Sequence, residues 1–220
     1  MRMHRVNIKT TLIAAIAALG LSGCVMNDPP SRGGLGAQSL NPEMSAGLNV
    51  AQIRVIVPRS LVVSEDNGYK PVADIVWHGE AVGNRYAQVE RIASAAMAQG
   101  AAGYRSGRAV VADVQIMRFH ALTPKTRASI GGKHELVYLL TLRERASGAV
   151  LLDAKKINAT VRGAGGAQAQ AEEAAGRSQA VVIREALAQS LQKELARIAG
   201  GGRGSAGALV SRSAQNPANP

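Results

Sequence analysis

One stretch limits the fold more than any other: "KHELVYLLTLRERASGAVLLDAKKINATV", residues 133–161. Leu136, Tyr138, Leu140 and Leu142 alternate with other side chains, so all four fall on one face of an extended strand. Ser147-Gly148 supplies a tight turn, and a second β-rich run starts at Ala149. The segment predicts a β-hairpin, and its single apolar face needs something to cover it. Aromatic residues make up only 3% of the chain against 46% hydrophobic residues, so the core is built from Ala, Val, Ile and Leu.

The rest of the domain supplies the cover. "NVAQIRVIVP" alternates as a first strand stopped by Pro58; "RSLVVSEDNGYK" and "PVADIVWHGE" read as short extended pieces around a turn at Asn67-Gly68. Val82, Tyr86, Val89, Ala93 and Ala96 recur at spacings of three and four, which predicts a helix from about Asn84 to Gln99, closed by Gly100. In "RAVVADVQIMRFHAL", Val110, Ala112, Val114 and Ile116 share a strand face. "RGAGGAQAQAEEAAG" leads into a last helix with the stripe Ile183, Leu187, Leu191, Leu195, Ile198, ended by Gly200 to Gly202. Glu172 and Glu173 are expected in its first turn, where they complement the dipole. The expected fold is α+β: an antiparallel or mixed four-stranded sheet with two helices packed on one face, in the order β-α-β-β-β-α.

The ends differ from the body. Residues 1–9, "MRMHRVNIK", are positive, and "TTLIAAIAALGL" then runs without a charge, too short to span a bilayer with comfort. Small residues follow, and Leu21-Ser22-Gly23-Cys24 resembles the lipobox of bacterial lipoproteins. That resemblance implies a thioether-linked diacylglyceryl group on Cys24, cleavage before it, and acylation of the new amine. Cys24 is the only cysteine of the chain. No aspartate follows it directly, which under the family's sorting rule favours the outer membrane, facing the periplasm. The boundaries that follow are 1–23 signal peptide, 24–48 lipidated cysteine and flexible tether, 49–199 periplasmic domain, and 200–220 disordered tail.

Net charge is +11, and removing Arg2, Arg5 and Lys9 leaves 23 basic against 15 acidic side chains, or +8. Arg105, Arg108, Arg118, Lys125, Arg127 and Lys133 form a basic set without stacking aromatics or a groove-reading helix, so anionic lipid suits it better than nucleic acid.

Motifs for catalysis are few. His4, His78, His120 and His134 are scattered, without HExxH or a cysteine partner, so no metal site is expected. "HGE" at 78–80 has the spacing of zinc deaminases, but the P-C-x-x-C that should follow is absent. "GAGG" at 163–166 lacks the rest of a phosphate loop. No cofactor is predicted. Trp77, the only tryptophan, is either a core residue or, with Asp74, Arg85 and Tyr86, a partner-docking spot.

At "YKPVADIVWHGEAVGNRYAQV", residues 69–89, the chain resembles an uncharacterised family of alphaproteobacterial lipoproteins. More distantly, its element order and lipobox resemble the auxiliary lipoproteins of envelope lipid-transport ABC systems. Neither resemblance specifies a function; the expected function is a non-enzymatic lipoprotein that binds an envelope partner, an accessory of lipid or solute transport. The alternatives are an envelope protein that self-assembles into homo-oligomers and a hydrolase of cell wall or lipid.

Overall fold

The computed structural model describes residues 47–207, with side chains to residue 200. The signal peptide, Leu21, Ser22, Gly23, Cys24 and nearly all of the tether lie outside the described residues.

Two long antiparallel strands, β4 (Arg108–His120) and β5 (Gly132–Glu144), form the centre. Each has a broken neighbour on its outer side. Along β4 lie β1 (Leu48–Ile56), parallel to its first half, and β3 (Ile75–Val76), parallel to its last two residues. β2 (Val63–Ser64) pairs beyond β3. Along β5 lie β6 (Val150–Asn158) and β7 (Val161–Gly163), both antiparallel to it. The sheet is therefore mixed and has seven strands, not four. The four expected strands are β1, β4, β5 and β6; the other three have two or three residues each, too few to show a period.

Helices α1 (Arg85–Gly100) and α4 (Gln179–Gly207) cover one face. α1 is capped by Asn84, whose side chain accepts the Ala87 N–H. It buries Val89, Ile92, Ala93, Ala96 and Met97. Val82 does not belong to the stripe: it precedes the helix and is 81% exposed. α4 buries Ile183, Leu187, Leu191, Leu195 and Ile198 against Val110, Ala112, Val114 and Ile116 of β4 and Leu136, Tyr138, Leu140 and Leu142 of β5. Two polar ties fasten α4 to the sheet. The Tyr138 hydroxyl bonds Ser190 Oγ at 3.0 Å, and burial pushes it up to about 12. Lys155 Nζ donates to Glu194 at 2.8 Å; Arg197, with Lys155 after it, holds that carboxylate below its ordinary range.

Two short helices, α2 (Pro124–Ala128) and α3 (Gly166–Ala174), bring the helices among the described residues to four. The expected continuous last helix is split. Gly176 takes φ +75°, a left-handed conformation that ends α3 and that a side chain disfavours. Glu172 and Glu173 thus lie in the last turn of α3, not the first turn of α4, and Glu173 pairs with Arg127. At its far end α4 runs through Gly200 to Gly202, where the sequence suggested a stop. Glycine costs about 1 kcal/mol per helical position but does not forbid one.

Gly100 sets how closely α1 and α4 approach. A Cβ there would stand 2.5 Å from the Ala188 carbonyl oxygen, which is backbone and cannot swing away. Gly100→Ala is expected to lower unfolding free energy by about 1–3 kcal/mol. Gly103→Ala, with nothing within 4 Å of its Cβ, serves as the control and should change it little. Urea unfolding of both variants, followed by far-UV circular dichroism, checks this; equal stabilities would contradict the close helix contact.

Candidate functional site

The four residues singled out in segment 69–89 are not joined to one another by hydrogen bonds; each braces the loop 57–84 through a partner of its own. Trp77 has no exposed surface. Its ring stands edge-on to Phe119, centroids 5.8 Å apart, and its Nε1 donates to Glu80 Oε1 at 3.2 Å. Arg85, 3% exposed, is the hub. It donates to both oxygens of Glu65 at 2.7 and 2.8 Å, to the carbonyls of Glu80 and Ala81 at 3.2 Å, and to Gln88 Oε1 at 2.6 Å. This hydrogen-bonded pair holds the Glu65 carboxyl below its usual range. The Tyr86 hydroxyl donates to the Leu61 carbonyl at 2.8 Å, and Asp74 Oδ2 accepts the Val62 N–H at 2.9 Å. Residues 57–84 form a long loop interrupted only by β2 and β3, and these side chains pin it to α1 and the sheet. Their polar atoms are committed within the chain, so Trp77 takes the core alternative, and docking at this spot is left to the exposed parts of Tyr86 and Asp74.

The sheet face opposite the helices carries Arg54 and Ile56 from β1, Asp113, Gln115 and Met117 from β4, and Leu139, Thr141 and Arg143 from β5, all at least partly exposed. Asp113 is gripped by Arg54 at 2.6 Å and by Arg143 at 3.3 Å. A shallow groove of about 470 Å³ runs over Arg54, Ile56, Asp113, Leu139 and Arg143.

The basic set is divided among local partners. Arg108 pairs with Glu144, Arg118 with Glu135, and Arg127 with Glu173, while Lys125 lies over the Tyr69 ring at 4.6 Å. Three of the six thus sit beside carboxylates, and Arg105 donates to the Ala102 carbonyl at 2.9 Å.

The three histidines of the domain sit near the far end of β4. His120 Nε2 bonds the Pro71 carbonyl at 2.9 Å. His134 Nδ1 accepts the Leu122 N–H at 3.3 Å and is only 2% exposed; burial first, then the charge of Arg127, lowers it to about 4. His78 lines a cavity of about 360 Å³ together with Arg127, Glu173 and Gln179. Among the described residues no group of three or more His, Cys, Asp or Glu could hold a metal ion. "GAGG" is a close-packing device: a Cβ on Gly165 would fall 2.0 Å from the Gly131 nitrogen. Nothing in the sequence marked Gln179 as a site residue. The split before it was readable, because Gly176 followed by Ser178 is a helix stop followed by a helix start.

Residues 48–210 match the family of unknown function DUF6778. The chain belongs to the DUF6778 family. This DUF6778 domain spans every described strand, from β1 through β7, together with all four helices. It is similar to the crystal structure of protein XCC0632 from Xanthomonas campestris, family model DUF330, with a TM-score of 0.43 and 14% identity over 76% of this chain and 91% of that one. No curated protein matches it.

Proposed function

We propose that this chain is a non-enzymatic lipoprotein of the bacterial envelope. It is cleaved before Cys24, acylated there and held at the outer membrane facing the periplasm. Its α+β domain binds an envelope partner as an accessory of lipid or solute transport, and the family is one of alphaproteobacterial lipoproteins.

One observation carries the reading: a positive start, a charge-free run of twelve residues, and Leu21-Ser22-Gly23 directly before the sole cysteine. Physical chemistry gives that cysteine a use. A single acyl chain binds a bilayer marginally, whereas several hold stably, at about 0.8 kcal/mol per buried methylene. Among the described residues no helix is long and apolar enough to cross a membrane. The second reading, self-assembly, draws on the sheet face that no described helix covers. Against it, edge strand β6 carries Asp153, Lys155 and Lys156, and such charges oppose edge-to-edge pairing.

Cys24→Ala should abolish labelling by radioactive palmitate and leave a precursor longer by the 23 residues of the signal. Wild-type protein should yield a mature N-terminus with acylated Cys24 by mass spectrometry. Wild-type protein cleaved elsewhere, or carrying an unmodified thiol, would refute the anchor. Light scattering of the detergent-solubilised protein tests self-assembly, which requires a defined oligomer.

A further inference from the structure

At the end of the sheet where β4 stops and β5 starts, the chain exposes apolar and cationic side chains together. Val72 is 99% exposed and Ile130 77%, while Val62 and Tyr69 are each more than half exposed. Val62, Val72 and Lys70 border one shallow depression, and Lys70 also borders a second one walled by Tyr69 and Ile130, so the patch is continuous. Single exposed apolar side chains are ordinary; a cluster of them on neighbouring loops marks an interaction surface.

The cations around the patch are placed in a way that stability does not explain. Lys133 of β5 and Arg162 of β7 stand directly opposite each other across the ladder. Both are exposed, and neither has a carboxylate partner among the described residues. Like charges in register repel. Glu135, two residues along the same strand face, is already taken by Lys70 at 2.6 Å and Arg118 at 2.7 Å. Lys125 lies over the Tyr69 ring at 4.6 Å and also lacks a carboxylate. Two more acids stand near. Asp74 is 4.0 Å from Arg118, and Asp66 adjoins Asn67, whose side chain accepts the Lys125 N–H. Five cations thus meet three carboxylates, and the surplus rests on Lys125, Lys133 and Arg162.

Such a surface suits an acidic protein or an anionic bilayer, and its composition favours the bilayer. Protein interfaces centre on packed aromatic and arginine anchors. Here the most exposed members are aliphatic side chains standing on loops, and the lysines beside them have stems that pass along apolar groups to reach a charged layer. We propose that this end of the domain docks on an anionic phospholipid surface. Tyr69, Val72 and Ile130 enter the headgroup layer, and Lys125, Lys133 and Arg162 meet lipid phosphates, which relieves the repulsion across the ladder. The surface is read independently of Cys24, but an anchor there would leave it within reach of the same bilayer. β1 enters beside Arg108, at the opposite end of β4, about 40 Å away. The chain from Cys24 to Gly47 spans up to about 80 Å when extended.

The test uses the full chain, mixed with lipid in detergent and then freed of detergent. Ile130→Cys carries an environment-sensitive fluorophore; Val150→Cys, exposed at the opposite end of the sheet, carries the control. In vesicles of three parts phosphatidylcholine to one part phosphatidylglycerol, emission from position 130 should shift to the blue. Brominated acyl chains should quench it about tenfold more than the probe at position 150. In pure phosphatidylcholine, or at high salt, that quenching should be lost. Lys133→Glu combined with Arg162→Glu should weaken it severalfold with an unchanged circular dichroism spectrum, since both side chains are exposed. Wild-type chain separates the two readings: uptake of fluorophore by Cys24 counts against acylation and not against the patch, and Cys24→Ala is then built into every variant. Absence of quenching at position 130 in the anionic vesicles would overturn the proposal and leave the patch to an acidic protein. So would equal quenching in both lipids, equal quenching at both positions, or indifference to the charge reversals.

Discussion

Replacing Trp77 with alanine should lower the unfolding free energy by about 3–5 kcal/mol, the range for truncating a fully buried large aromatic. The loss has three sources. The ring has no exposed surface and stands edge-on to Phe119 at 5.8 Å. Its Nε1 bond to Glu80 helps hold the loop before α1. The backbone below is shaped to it: a Cβ on Gly79 would lie 2.3 Å from the indole ring. For a domain stable by about 5–15 kcal/mol, this is a large fraction. Trp77→Phe keeps part of the packing and loses the hydrogen bond, so about 1–2 kcal/mol is expected. Urea unfolding followed by circular dichroism measures both. In the native protein the lone tryptophan reports independently, because its emission should shift to the red on unfolding. A Trp77→Ala loss below about 1 kcal/mol would place the ring outside the core.

The second large effect is acid destabilisation through His134. Burial, and then the charge of Arg127, holds its folded pKa at about 4 against an ordinary 6.5. Between these values the unfolded chain binds a proton that the folded chain refuses. Stability is therefore present in full above pH 6.5 and falls as the pH drops toward 4, by at most about 3 kcal/mol. The paired carboxylates of Glu65, Glu135, Glu144 and Glu194 are lowered below their ordinary 4.5, so their contribution is withdrawn only at lower pH. The interval from 6.5 to 4.5 isolates the histidine. Stability measured across it should slope in the native protein and flatten in His134→Asn, whose amide can still accept the Leu122 N–H. Identical slopes in the two proteins would assign the effect elsewhere.

The long elements were legible because they are long. Strand β5 places Leu136 to Leu142 on one face over many residues, and α4 repeats its apolar stripe over four turns. β2 and β3 show in the sequence only as short extended pieces and β7 not at all, because two or three residues carry no period and pair as strands only through their neighbours. The break between α3 and α4 is marked locally by Gly176 at φ +75° and Ser178 after it, although the sequence reading runs one helix across it. No local pattern marks Arg85 as buried; only Glu65 on the facing loop, which accepts from its guanidinium at 2.7 Å, offsets the cost of burying that charge.

By itself the sequence determined the layers: alternation at period two makes a one-faced sheet, and spacing at three and four makes the helices that cover it. Those patterns are local and act through backbone geometry. Only the tertiary structure decided that Trp77 is core, that Arg85 ties a long loop to a helix, and that His78 and Gln179 share a cavity. These meetings join residues far apart in the chain. They depend on which strand edge each loop crosses and where α3 stops, and no period in the sequence encodes that.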